Sequence, residues 1–116
     1  MFLGERLIGA ILTVCDAAEV NPLLMMLRSL ATDEDTVQMM RQFLHHNVLR
    51  PVGAALGVPD GELRAALAAT QVAGLLMMRY VLQLESVASV PAETLTRIVG
   101  RNIQRYFTSD LDAPPP

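Results

Sequence analysis

An all-α fold of about five to six helices is predicted by three features of this chain. Apolar residues recur at spacings of three and four along most of its length. Helix punctuation (Asn-Pro, Asp-Gly, isolated Gly and Pro) falls between the periodic stretches. No stretch alternates apolar and polar residues for long enough to support a strand.

The first amphipathic segment runs from about Gly4 to Ala18. Asn21 then serves as an N-cap, with Pro22 at the first helical position, where its missing N–H costs nothing. Leu23 to Leu30 follow as a second helix. Thr32 opens the third with a capping hydroxyl, and Asp33, Glu34 and Asp35 set acids against the positive end of its dipole. This helix runs to about Leu49, because Pro51 disfavours helical geometry at Arg50. A kink and another turn or two lead to Leu56, with Gly57 as a left-handed terminator.

Val58, Pro59, Asp60 and Gly61 reset the chain, Asp60 acting as N-cap for a long helix from Glu62 to about Leu84. Pro91 starts the last helix, with Glu93 in its first turn, and the pattern holds to Phe107. The expected domain therefore covers residues 1–109. Residues 110–116 form a disordered tail whose three terminal prolines cannot continue a helix.

The chain has 116 residues, enough for one core, and is 52 % hydrophobic but only 18 % charged. Such an excess of apolar surface needs either a membrane or another copy of the protein. The longest uncharged run, Ala65 to Met78, has 14 residues and is closed by Arg64 and Arg79. That falls short of the ~18–20 that span a bilayer. The run from Leu7 to Val14 before Cys15 loosely imitates a lipoprotein signal, but Glu5 offsets Arg6 and Val14 is too bulky for the cleavage site. A cytoplasmic protein with no membrane contact and a large self-association surface is the expectation.

Cys15 is the lone cysteine, so an intramolecular disulfide is excluded, and its apolar neighbours suit a buried thiol. All nine basic residues are Arg, which removes Schiff-base chemistry and the Gly-Lys phosphate loop. A net charge of −3 argues against phosphate binding by these residues. Ser29, Ser86, Ser89 and Ser109 lack a nucleophile-elbow context, and the carboxylates cluster at helix starts where capping explains them. No enzyme activity and no cofactor are expected.

The long helix carries two apolar faces. Leu63, Leu67, Thr70, Gly74, Met77, Val81 and Leu84 form one; Ala68, Gln71, Val72, Leu75, Met78 and Leu82 form the other. Gly74 in mid-helix costs up to ~1 kcal/mol relative to Ala, which implies close approach by a neighbour. In the last helix Leu95, Ile98, Val99, Asn102, Ile103, Tyr106 and Phe107 also exceed one stripe. Two consecutive helices too apolar for one core predict an intermolecular four-helix bundle.

Four stretches resemble the C-terminal domain of TetR/AcrR-type transcriptional regulators from high-GC bacteria. They are Gly57 to Gln71 (GVPDGELRAALAATQ), Ala73 to Leu82 (AGLLMMRYVL), Pro91 to Leu95 (PAETL) and Ile103 to Tyr106 (IQRY). The likeness covers nearly the whole chain and keeps the helix order. It implies a domain that binds a small effector and pairs two subunits through its last two long helices. An N-terminal helix-turn-helix module reads DNA in that family, and none precedes Met1 in this sequence. The chain is then either a fragment or a short relative, and DNA binding belongs only to a parent protein.

The resemblance assigns a homodimer interface to Ala68, Gln71, Val72, Leu75, Met78, Arg79 and Leu82 of the long helix. Thr96, Val99, Gly100, Ile103 and Phe107 of the last helix complete it. Gln71 and Asn102 are candidates for a hydrogen bond across the two-fold that fixes its register. Arg79 requires a partner in its apolar helix, at the interface or on a ligand carboxylate, unless its stem lies on apolar surface with its head in water.

Met25-Met26, Met39-Met40 and Met77-Met78 fall on three helices that the family arranges around a cavity, and Met suits an adaptable apolar pocket. Met26, Leu30, Met39, Met40, Phe43, Leu44, His46 and Met77 are the candidate lining for an apolar effector. Adjacent methionines cannot both face inward, so about half serve ordinary packing. His45 and His46 point ~100° apart on a helix and do not make a metal site. His46 either offers a polar contact in the cavity or lies at the surface. The function implied is a ligand-responsive repressor-type domain in which the effector resets the spacing of two DNA-reading heads. The alternative is a stand-alone helical homodimer that binds proteins and neither DNA nor a small molecule.

Overall fold

A computed structural model describes residues 2–17, 25, 28–30 and 32–112. The helices are α1 (Leu3–Ala17), α2 (Glu34–Leu44), α3 (Arg50–Leu56), α4 (Gly61–Leu76), α5 (Glu85–Ala88) and α6 (Ala92–Thr108), with wide π turns at His45–Leu49 and Met77–Val81. Among the described residues there is no strand, and no helix is long and apolar enough to cross a membrane. The Asn21-Pro22 start, Leu23, Leu24, Met26 and the terminal prolines lie outside the described residues, whereas Met25, Arg28 and Ser29 are helical.

Three helices supply the core. Ile8 and Leu12 of α1 meet Ala68 and Leu75 of α4 and Leu95, Ile103 and Phe107 of α6. Ile8, Leu12 and Ile103 are fully buried, and burying each such side chain is worth about 1.5–3 kcal/mol. Helices α1 and α6 run antiparallel, since Gly4 sits on Gln104, Glu5 on Gly100 and Gly9 on Thr96. The crossing is close enough that a Cβ on Gly100 would lie 2.5 Å from the Glu5 Cα. Only glycine fits there. The Gly4 N–H donates to Gln104 Oε1 at 2.9 Å and fixes the register.

Local chemistry departs from expectation at several ends. Arg50 is helical (φ −67°, ψ −51°) despite preceding Pro51. The turn before it widens instead, and the Arg50 N–H donates to the His45 carbonyl five residues back. A wide turn relieves the clash of a proline ring with the preceding helical carbonyls. Gly57 ends α3 with φ 67°, the left-handed terminator expected. Asp33, not Thr32, caps α2 by accepting from the Asp35 N–H. At α4 the Asp60 carboxylate does not cap; it pairs with Arg64.

The long helix also stops early. Its helical backbone ends with the π turn at Val81, Leu82 caps it, and Gln83 turns the chain with φ 52°. Leu84 is therefore outside the helix, and α5 is an extra turn within the stretch expected to lead to Pro91.

Candidate functional site

Helices α4 and α6 form an antiparallel hairpin held by polar ties at three levels. At one end the Arg64 Nη1 donates to the carbonyls of Tyr106 (2.8 Å) and Ser109 (2.6 Å), while its Nε donates to Asp60 Oδ1 (2.8 Å). Those carbonyls end α6 and have no helical partner, so the guanidinium supplies a C-terminal cap. In the middle, Asn102 Nδ2 donates to Gln71 Oε1 at 2.9 Å. At the other end the Arg79 Nη1 donates to the carbonyls of Val87 (3.0 Å), Ala88 (3.4 Å) and Val90 (2.8 Å), capping α5.

Arg79 also meets α1. Its Nη2 lies 3.4 Å from Asp16 Oδ2, its Nε donates to the Tyr80 hydroxyl at 3.3 Å, and the Tyr80 hydroxyl donates to the Asp16 carboxylate. The Arg79 side chain is only 9 % exposed. Burial works against its charge, but the bonds to Tyr80 and Asp16 outweigh that and hold the guanidinium above its ordinary value. Burial first, and then the bond to Asp16, push the Tyr80 phenol up to about 12. The Arg64 bond holds the Asp60 carboxyl below its usual range.

So Arg79 finds its partners within one chain, on backbone carbonyls and Asp16. Asp16, Arg64 and Gln104 were not singled out by sequence. The i,i+4 spacing of Asp60 and Arg64 is a readable signal. So is a carboxylate at Asp16 in the last turn of α1, where the dipole is unfavourable.

The candidate interface residues divide by depth. Ala68, Leu75, Gly100, Ile103 and Phe107 are buried inside the single chain. Gln71, Val72, Arg79, Thr96 and Val99 are half-buried, and Met78 and Leu82 are exposed. Gln71 and Asn102 bond to each other within the chain. Around Gly74 a Cβ would meet nothing within 4 Å among the described residues, so the close neighbour expected for it is not one of them. The more exposed face of α4 carries Leu63, Thr70 and Gly74. Beside the hairpin lies an open hollow of about 920 Å³, bordered by Phe2, Gln71, Ile98, Val99, Asn102 and Arg105 among others.

The candidate effector residues are scattered in depth. Met40 is buried, Leu30, Leu44 and Met77 are half-buried, and His46 is exposed. Met39 and Phe43 are 66 % and 54 % exposed on α2, which joins the bundle chiefly through the turn that follows it. Met26 lies outside the described residues. Neither the 920 Å³ hollow nor a second of about 470 Å³ beside Asp16 and Arg79 is lined by any of the seven described ones. His45 and His46 stack edge-on with centroids 5.3 Å apart. No group of three or more His, Cys, Asp or Glu is placed to hold a metal among the described residues.

A family model described as tetracyclin repressor-like, C-terminal domain, matches residues 2–107. The chain belongs to that family. The match takes in α1 and nearly all of α6, and hence the whole hairpin core, and TetR-like C-terminal domains are helical, as this chain is. No curated protein and no solved structure matches the chain.

Proposed function

We propose that this domain is the ligand-sensing and dimerisation unit of a TetR-like transcriptional regulator, non-enzymatic and cytoplasmic, and that it binds a small apolar effector. The family match over residues 2–107 carries the reading. The apolar surface left uncovered by one copy supports the dimer. Leu67, Gln71, Gly74 and Met78 follow one another at spacings of four and three along α4 and into the wide turn after it, and Ile98, Asn102 and Arg105 do so along α6. The Gln71–Asn102 bond joins the two stripes into one surface. Ile98 is 57 % exposed at its centre. A second copy covering this face completes a four-helix bundle, and the open space above Gly74 admits a closely packed helix.

The effector would lie among Met26, Leu30, Met39, Met40, Phe43, Leu44, His46 and Met77, a methionine-rich and adaptable lining. In a parent protein carrying DNA-reading heads, an effector that favours one helix arrangement shifts the spacing of the heads. A thermal-shift screen with chemically diverse apolar compounds tests the pocket. Saturable rises in melting temperature, reduced by Met40→Ala, are expected. Flat responses to every compound at saturating concentration sink the effector reading.

One observation favours a second reading. Met39 and Phe43 are one helical turn apart and open to solvent, as in a helix that docks on a protein. Under that reading the chain is a homodimeric interaction module, and ligand screens stay flat while sedimentation still shows pairs.

A further inference from the structure

Asp16, Arg79 and Tyr80 meet at a junction and belong neither to the two stripes proposed above as the dimer face nor to the proposed effector lining. Asp16 lies in the last turn of α1, a turn that has no basic residue of its own. A carboxylate at that end of a helix is disfavoured by the dipole. Its compensation comes from 63 and 64 residues further along the chain, through the Arg79 guanidinium and the Tyr80 hydroxyl.

Two consecutive side chains of an ordinary α-helix diverge by about 100° and do not readily share one carboxylate. Arg79 and Tyr80 both reach Asp16 because they sit in the wide turn Met77–Val81. There the Leu82 N–H donates to the Met77 carbonyl and the Leu84 N–H to the Met78 carbonyl, each at 2.9 Å. A wider turn subtends a smaller angle per residue, and such turns gather at functional positions. Directly after it Gln83 takes a left-handed conformation, φ 52°, that side-chain-bearing residues seldom adopt. Three unfavourable local choices thus converge on one contact.

We infer that Asp16 is a latch fastening the first helix to the α4–α6 hairpin, and that the wide turn Met77–Val81 is the hinge that yields when the latch opens. On opening, the turn tightens to the α-helical pattern and Tyr80 rotates away from Asp16. Gln83 is then free to leave its left-handed conformation. The same guanidinium holds the carbonyls of Val87, Ala88 and Val90, so α5 loosens with it. The open hollow of about 470 Å³ bordered by Asp16, Arg79, Tyr80, Gln83 and Glu85 brings solvent to the outer side of this contact. The latch stands on this geometry and not on the effector reading, so a chain that binds no effector leaves it intact.

Amide hydrogen exchange, resolved by peptide, tests the latch on the full chain. Tyr80→Phe removes one oxygen and Asp16→Asn removes one charge. Each is expected to speed exchange about tenfold in two separated segments, residues 10–17 and 82–90, while residues 61–70 keep the wild-type rate. The double variant should exceed neither single by much, because both break one contact. Glu85→Gln, on the rim of the hollow, should leave all segments unchanged. Acceleration confined to one segment, additive effects in the double variant, or unchanged exchange would overturn the latch. So would loss of the far-ultraviolet helix signal in both singles, which would make the junction a folding element.

Discussion

Asn102 Nδ2 donates to Gln71 Oε1 at 2.9 Å, midway between the two arginine clamps of the hairpin. The bond uses polar groups that would otherwise be the natural register-setting pair across a dimer two-fold. In the proposed dimer the partner copy would cover the apolar surface beside them, above all Ile98 and Met78. Ile98→Arg is therefore expected to leave the monomer folded and to weaken self-association by about a hundredfold or more, since it adds a third arginine beside Arg101 and Arg105 on each copy. Sedimentation velocity across a concentration series reads the change. An unaltered dimer would move the interface to another face.

Gly74 gives a sharper test because its two roles have opposite signs. A Cβ there meets nothing within 4 Å among the described residues, so Gly74→Ala gains helix propensity of up to about 1 kcal/mol in the isolated chain. If a second helix packs over Gly74, the same methyl group holds it off. The expected outcome is a higher urea midpoint at low protein concentration together with a larger dimer dissociation constant. A gain in stability with unchanged dimerisation removes Gly74 from the interface.

Much of the fold was legible because it rests on local chemistry. Gly57, Pro91 and the apolar spacing of α4 and α6 specify ends and faces through interactions within a few residues. The choice of which α4 face turns inward was not legible. Both faces are apolar, and the close glycine crossing of α1 on α6, together with the buried side chains of α1, decides that Ala68 and Leu75 go inside. For Arg79 the sequence points to an interface or ligand partner or to a head in water, whereas its main acceptors are backbone carbonyls of the same chain, which no side-chain pattern advertises. The early stop at Val81 was not legible either, because the apolar spacing continues past it to Leu84.

Arg64 carries a prediction of its own. Its side chain is 12 % exposed and donates to two helix-end carbonyls and one carboxylate. Arg64→Met keeps the apolar stem and removes the donors, leaving the ends of α4 and α6 unfastened. A loss of about 2 kcal/mol is expected by chemical denaturation, with fraying reported by faster exchange in residues 104–109. Wild-type stability in this variant would mean that water replaces the guanidinium at no cost.

Gly100 probes the α1–α6 crossing. An added methyl group would press on the Glu5 backbone, which is not the movable tip of a side chain. Gly100→Ala should cost about 1–3 kcal/mol, as overpacking of a tight contact does, and lower the melting temperature by several degrees. Gly9→Ala is the control, because among the described residues its Cβ would meet the Thr96 side chain alone, the methyl at 3.4 Å and the hydroxyl at 3.9 Å, both ordinary contacts. Equal losses in the two variants would show that helix α1 does not approach α6 as closely as described.

Tyr80 makes the junction visible to alkali. Its phenol is pushed from 10.0 up to about 12, first by burial and then by the bond it donates to Asp16. The folded chain therefore keeps this proton after the unfolded chain has lost it. Below pH about 10 both states are protonated and the contribution is fully present; it falls away as pH rises through the folded value. Urea midpoints measured from about pH 9 to about 12 should decline more steeply for the wild type than for Tyr80→Phe, which has no proton to lose. Asp16→Asn removes the charge that opposes a phenolate, so the decline should begin at the same pH, which the unfolded chain sets, but level off at a lower pH than in the wild type. Parallel curves for the wild type and Tyr80→Phe would show that Tyr80 titrates alike in the folded and unfolded chains, and that neither burial nor the bond to Asp16 holds its proton.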